Sequence, residues 1–438
     1  MTGIGPQLAV VVLATLGILG TIRGIGLAGG RLGWHPELQR KGVHVATGLF
    51  GIALPFLVTD RWPVLLLIGA GIVVMALMRI PAIAQGFGKA LHGVRRRSYG
   101  EILLALAVGF VFLRSRNDLI LYTLPLAVIT LSDTAAALAG TAYGKRSFLI
   151  ERGTKSAEGV AMFFLVTWIV AMSMLLLFTD VPRANVFLLG VTVAAFGAMV
   201  EMDSWRGLDN LFVPVAIHFY LQGYLRAPPE VVLGISALFV GTVLALALWS
   251  PRLRHLTPHA ARAYCVALFL LIGVSGPVAA ILPVAAVIAH LAARRARPCS
   301  SPYPDLDLLA TLAGAALIWL AIGESVGPSA VDFFAMSFLG AIALYGAIVA
   351  LDRGPTARVV GLCVLAAALL ATYAVLQRIA PARAGWHPDL VPLAAVTLIL
   401  CLAAHALFPR WFDRWRAPRV AIVASLVPLP AYLWMTLS

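Results

Sequence analysis

One carboxylate in this chain stands where lipid-facing sequence would not tolerate it without a purpose. Asp133 lies in Leu131-Ser132-Asp133-Thr134-Ala135-Ala136-Ala137, well inside an apolar run. An ionisable group at that depth is costly and marks a functional site by default. Asp133, Ala137, Gly140 and Gly144 fall on one helical stripe of small residues, which lets a second helix or a ligand come close. Gly140-x-x-x-Gly144-Lys145 has the outline of a phosphate loop. It is one residue short, Arg146 stands where Ser or Thr is needed, and it ends a helix instead of opening one, so that match is rejected.

Four other strings carry candidate chemistry. In Arg40-Lys41-x-x-His44-x-x-x-Gly48, Arg40, His44 and Gly48 share a helical face, with the basic pair at headgroup level and His44 one turn deeper. Ser98-x-x-Glu101 fits a capping box, although Glu101 could turn toward a site at the same membrane face. Gly153-Thr154-Lys155-Ser156-x-Glu158-Gly159 opens a helix, where free amides and the Lys155 charge suit phosphate. Glu201-x-Asp203 and Asp209-Asn210 supply three carboxylates within nine residues, the hard oxygen donors that Mg²⁺ takes. His218, farther along the helix from Asn210, reads as a packed core histidine.

These groups need elements that bring them together, and the composition says what those are. Of 438 residues, 61% are hydrophobic and 12% charged, far below the quarter that a water-facing domain carries. Apolar runs near 20 residues recur between clusters of charge, so the chain is expected to be an all-α, polytopic transmembrane helical bundle of about 15–16 helices. Spacing places helices near 7–28, 43–59, 63–79, 101–114, 119–143, 159–179, 185–203, 209–224 and 230–249. A second block follows, with a hairpin about Gly276-Pro277 joining 263–275 to 277–292, then 306–325, 331–351, 356–376, 391–408 and 419–437. The expected organisation is a transmembrane domain over 1–249 that carries the site, and an additional helical block over 250–438.

The net charge of +14 comes largely from Arg and Lys in short loops. That pattern orients helices and touches anionic headgroups, and nucleic acid is not the expected partner. Alternating helices put the loops around Arg31 to Lys41, Arg79 to Arg97, Lys145 to Lys155 and Arg252 to Arg262 on one face, expected to be the cytoplasmic one. With the hairpin at 276–277, Arg294, Arg295 and Arg297 join them. Met1 to Gly20 lacks a basic region and a cleavage site and reads as a retained helix. The four cysteines form no C-x-x-C pair and read as packing residues. Gly385-Trp386-His387-Pro388 echoes Gly33-Trp34-His35-Pro36 but lacks the basic string that follows, and reads as coincidence.

Taken together, Arg40-Lys41-x-x-His44-x-x-x-Gly48, Asp133-x-x-Ala136 through Gly144, Lys155-Ser156-x-Glu158-Gly159 and Asp209-Asn210-Leu211-x-x-Pro214 resemble the CTP-dependent polyprenol kinases. These comprise phytol, farnesol and dolichol kinases and are related to phosphatidate cytidylyltransferases. The resemblance covers about residues 35–225. Ser132 departs from it, standing where Gly is expected. The resemblance implies a lipid kinase that moves the γ-phosphoryl group of CTP to an isoprenoid alcohol of the phytol, geranylgeraniol or polyprenol type, with Mg²⁺. The expected setting is a bacterial inner membrane with the site facing the cytoplasm. On that reading Asp133, Lys155 and His44 are the expected catalytic residues, and Asp133 and Asp209, with Glu201 from the carboxylate cluster, the expected metal ligands. It implies Arg40, Lys41, Gly48, Gly140, Gly144, Lys145, Ser156, Glu158, Gly159 and Asn210 as the substrate- and nucleotide-binding set. A cytidylyltransferase acting on a lipid phosphate is the near alternative. A transporter or flippase is the alternative from another class, and ionisable groups gathered at helix ends argue against it.

Overall fold

The computed structural model describes residues 4–58, 60–77, 99–115, 118–150, 153–205, 207–249, 257–323, 326–327, 329–380, 386 and 388–437. Among them are sixteen α-helices, and eight helical segments are long and apolar enough to cross a membrane. The protein is an all-α, polytopic membrane bundle. Its internal contacts divide it into two compact units, Met1–Leu244 and Ala245–Ser438.

The first unit contains α1 (Ile4–Leu32), α2 (Pro36–Leu57), α3 (Arg61–Leu77), α4 (Gly100–Arg114), α5 (Leu119–Tyr143), α6 (Ala157–Phe178), α7 (Arg183–Asp203), α8 (Asp209–Tyr224) and α9, which begins at Pro229. Its axis is α5, whose side chains are mostly buried and which packs against α2, α6 and α8. Asp118 starts α5 by accepting from the amides of Ile120 and Leu121, at 3.2 and 3.4 Å. At the far end the chain turns into a short antiparallel hairpin, β1 (Ser147–Ile150) and β2 (Gly153–Ser156), where the sequence reads as loop. Gly153 takes the positive φ of 132° that the reversal requires.

Lipid is as apolar as leucine, so close contact between small residues holds such helices together. Gly48 on α2 shows this: a Cβ there would lie 2.1 Å from Thr130 Oγ1 on α5. The outer helices keep their large apolar residues on the surface, as Leu165, Ile169 and Phe178 of α6 do.

In the second unit, α10 (Pro258–Ala296) is one continuous helix, which corrects the expected hairpin at Gly276-Pro277. An arm of 13 residues would reach only about 20 Å, short of a bilayer core. A proline inside a membrane helix removes one amide without reversing the chain. The alternation of sides argued through 263–292, which placed Arg294, Arg295 and Arg297, is therefore lost. The helix ends where the buried guanidinium of Arg416 donates to the carbonyls of Ala293, Arg297 and Pro298 at 2.8–3.4 Å. The helices α11 (Pro304–Ala316, continued by a π-turn to Gly323), α13 (Pro355–Ile379), α14 (Val391–Leu407), α15 (Arg416–Leu426) and α16 (Leu429–Leu437) complete this unit. They gather with α10 around α12 (Ala330–Ala350), which is buried along almost its whole length. All four cysteines are free thiols.

Candidate active site

Three side chains meet inside the first unit. Lys41 donates its ammonium to Asp133 Oδ2, and His44 Nε2 lies 3.4 Å from the same oxygen. Lys41 is 2% exposed and Asp133 6%. Neither charge would be stable at such burial without the other. The contact depends on the α2–α5 crossing, because Gly48 lets α2 come near enough for Lys41 and His44, one helical face apart from solvent, to reach α5. His44 Nε2 is also 3.1 Å from the Ile129 carbonyl. A carbonyl only accepts, so Nε2 carries the hydrogen and Nδ1 of the neutral ring is left as an acceptor.

The partner of Asp133 is thus Lys41. Arg40, which the helical face grouped with His44, instead holds Glu37 through two bonds, 2.5 Å to Oε1 and 3.1 Å to Oε2. Glu37 was not singled out by the sequence reading, although its i, i+3 spacing from Arg40 is a visible signal. Arg40 still feels the charges of both Asp133 and Asp209.

The β-hairpin carries Lys155 to the end of α7, where its ammonium donates to the Glu201 carbonyl and, at 2.5 Å, to Glu201 Oε1. Burial alone would lower the pKa of Lys155. The carboxylates of Glu201, Asp209 and Asp133 outweigh it and hold the ammonium above its ordinary value, charged at neutral pH.

The start of α6 is already capped, which corrects the reading of free amides there. Ser156 Oγ accepts from the Gly159 amide at 3.1 Å, and the Ala157 amide donates to the Arg146 carbonyl at 2.8 Å. The Glu158 carboxylate accepts from the Arg146 amide at 3.1 Å. Gly140, Gly144 and Gly159 surround Ser156: a Cβ at Gly159 would sit 3.0 Å from both the Ala136 carbonyl and Ser156 Oγ. Here the glycines seat the hairpin on α5. Lys145 is exposed on the hairpin's approach.

The acidic string lies at the turn from α7 to α8. Asp133 is engaged by Lys41 and His44, and Glu201 by Lys155. Among the described residues no three His, Cys, Asp or Glu side chains gather as metal ligands. What the turn does present is two buried oxygens without a hydrogen-bond partner, Glu201 Oε2 and Asn210 Oδ1. The Asn210 amide group donates to the Gly207 carbonyl at 3.3 Å, which turns its oxygen away from that bond. Asp209 is half-buried and opens α8. One or two carboxylates with an amide oxygen fit a Mg²⁺ ion that takes its remaining ligands from phosphates and water.

Next to this cluster runs a narrow slot of about 110 Å³ between α1, α2, α3 and α4. Arg40, His44, Glu101 and Asn210 line it with oxygen and nitrogen; Leu54, Leu67 and Val108 line it with hydrocarbon. Glu101 therefore contributes to the slot as well as to the first turn of α4, which Tyr99 precedes as the cap residue. Ser98, its expected capping partner, lies outside the described residues, as do Arg79, Lys89, Arg95 to Arg97, Arg252, Arg254 and, within the 385–390 echo, Gly385 and His387. A wider cavity of about 1080 Å³ adjoins the Asp118–Arg226 pair at the opposite ends of α4, α5 and α8 and holds none of the residues singled out.

Over 190 residues, the chain is 30% identical to the phytol kinase of Synechocystis sp., an alignment covering 42% of this chain and 78% of that enzyme. The chain belongs to the phytol kinase family. No family model and no solved structure matches it.

In this member of the phytol kinase family, the departure at Ser132 has a local explanation. Ser132 Oγ accepts from Thr167 Oγ1 on α6 at 2.9 Å, and both residues are wholly buried. A hydroxyl in place of hydrogen is matched by a hydroxyl on the facing helix. His218 is a core residue, as its surroundings in the sequence suggest: its Nδ1 pairs with the Leu121 carbonyl at 2.9 Å and its ring meets Phe110 edge-on.

Proposed function

We propose that this phytol kinase family member transfers the γ-phosphoryl group of CTP to an isoprenoid alcohol at the cytoplasmic boundary of a bacterial inner membrane. The observation that carries the reading is the slot: hydrocarbon at its depth, and at its polar end His44, beside the buried Lys41–Asp133 pair. An alcohol with a greasy tail and a hydroxyl that must react needs that arrangement. The relative's name supports both the acceptor and the reaction class.

In this mechanism the alcohol oxygen attacks the γ-phosphorus, the bond to the β–γ bridging oxygen breaks, and CDP departs. The hydroxyl proton passes to His44 Nδ1, the ring atom left open when Nε2 is anchored on Ile129 and Asp133. Asp133 orients His44 and, with Lys41, keeps the site's charge balanced. Lys155 and Arg40 face the phosphates, where fixed cations stabilise charge without reorganising. Mg²⁺ would be held by Glu201, Asn210 and Asp209, and when bound it neutralises phosphate charge. The basic residues at this end, including Lys145 and Arg146, support the cytoplasmic assignment.

The test is to incubate the purified chain with Mg²⁺ and either CTP or ATP, offering phytol, geranylgeraniol, long polyprenols and diacylglycerol in turn. A lipid monophosphate with CDP is expected from CTP and an isoprenoid alcohol. Pyrophosphate released from a lipid phosphate acceptor would assign a cytidylyltransferase instead, and no lipid product from any alcohol would remove the kinase reading.

A further inference from the structure

The slot beside His44 is too small for the substrate just proposed. An engineered apolar cavity of about 150 Å³ is filled by one benzene molecule, so about 110 Å³ takes the hydroxyl end and about one isoprene unit. The remainder of a C20 alcohol must lie elsewhere. A second apolar groove, of about 440 Å³, runs along the outer side of α2 against α1. It shares three lining residues with the slot, Ile18, Thr47 and Phe50. The partition between the two spaces is therefore one side chain thick. Along α2 the slot runs from Arg40 to Leu54 and the groove from Ala46 to Leu57, so the two lie side by side over about 12 Å of helix.

The groove faces the side of the unit where lipid lies. Alpha helix 1 buries only Gln7, Val11, Ile22 and Gly29, and Leu13 and Leu16 beside the groove are mostly exposed. The floor of the slot is closed, because Leu54, Leu67 and Val108 belong to a packed cluster with Val58, Val111 and Tyr122. A chain anchored at His44 has no path downward and one thin wall sideways.

We infer that the α1–α2 groove is the tail-binding site and lateral portal for the isoprenoid chain, with Phe50 as the partition that turns aside to let the chain pass into the slot. Groove and slot together have room for about 20 carbons on the benzene scale, which suits a four-isoprene alcohol. This inference rests on the lipid-alcohol reading above.

Gly17 provides the probe. It lines the groove, and a Cβ there would meet nothing within 4 Å, so the side chain of Gly17→Leu starts into the open space of the groove. Gly20→Leu is the control, equally open but outside the groove. The Gly17→Leu variant is expected to raise KM for a C20 alcohol at least tenfold more than KM for a C5 alcohol, while Gly20→Leu raises neither. Equal effects of Gly17→Leu on both lengths, or none on either, would overturn the portal. A second readout is independent of turnover: a C20 alcohol with a diazirine at its far end should label the α1 and α2 segments facing the groove, and excess unlabelled C20 alcohol should compete while phospholipid does not. Labelling elsewhere, or competition by phospholipid, overturns the inference even if the kinase reaction is intact. If groove labelling is found but no phosphate is transferred to any alcohol, the proposed reaction fails and the binding site stands.

Discussion

Replacing Asp133 by Asn removes one charge and leaves the shape of the side chain. The consequence is set by Lys41, which is 2% exposed and has Asp133 as its carboxylate partner. Breaking a buried pair from one side strands the other charge and costs about 3–5 kcal/mol. The same pair replaced on both sides by neutral groups is close to neutral or stabilising. Asp133→Asn alone is therefore expected to destabilise the first unit by about 3–5 kcal/mol, and Lys41→Met with Asp133→Asn to recover most of that loss. Recovery of fold does not imply recovery of activity, because both variants lose the carboxylate that orients His44. The two variants would be compared by thermal unfolding in detergent and by phosphate transfer from CTP to geranylgeraniol. A double variant as unstable as the single one would show that burial of the Lys41 charge is not what Asp133 compensates. A double variant that transfers phosphate at the native rate would remove Asp133 and Lys41 from the chemistry altogether.

Other expectations follow from the same geometry. Lys155→Met should lower kcat about 10²–10³-fold, the scale of losing one fixed donor on developing charge, and steady-state kinetics with varied CTP would show it. Because Lys155 is held above its ordinary pKa of 10.5, its pairing with Glu201 should stabilise the fold throughout neutral pH and be lost only as pH rises past that value; a stability gap between native protein and Lys155→Met that closes between pH 7 and 9 would contradict this. Gly48→Ala, whose new methyl collides with Thr130, should cost about 1–3 kcal/mol and reduce turnover together with stability, since α2 carries both Lys41 and His44. Thr167→Ala should cost about 1–3 kcal/mol by leaving the Ser132 hydroxyl unpaired, and adding Ser132→Ala should restore most of it in a double-mutant cycle read by thermal unfolding.

The class of the protein and the course of most helices are legible in the amino-acid sequence. Runs of apolar residues punctuated by charge and proline are local signals, and α5 and α8 begin and end where those signals place them. It also singled out Asp133, because a carboxylate in an apolar run is conspicuous without any knowledge of its neighbours. Partner choice was decided only in three dimensions. Lys41 and Asp133 are 92 positions apart, and whether Lys41 or Arg40 reaches the carboxylate depends on the rotation of α2 against α5, which Gly48 and Thr130 set. The path of α10 was likewise hidden, since Gly-Pro is as compatible with a passage through a membrane helix as with a turn, and the chain takes the first course, as one continuous helix. The small residues at 140, 144 and 159 are legible as places of close approach; that a serine hydroxyl and a neighbouring helix fill the space is a property of the packed structure. Local hydrophobicity fixes where the chain crosses, while the meeting of distant side chains is fixed by helix rotation, which no single segment encodes.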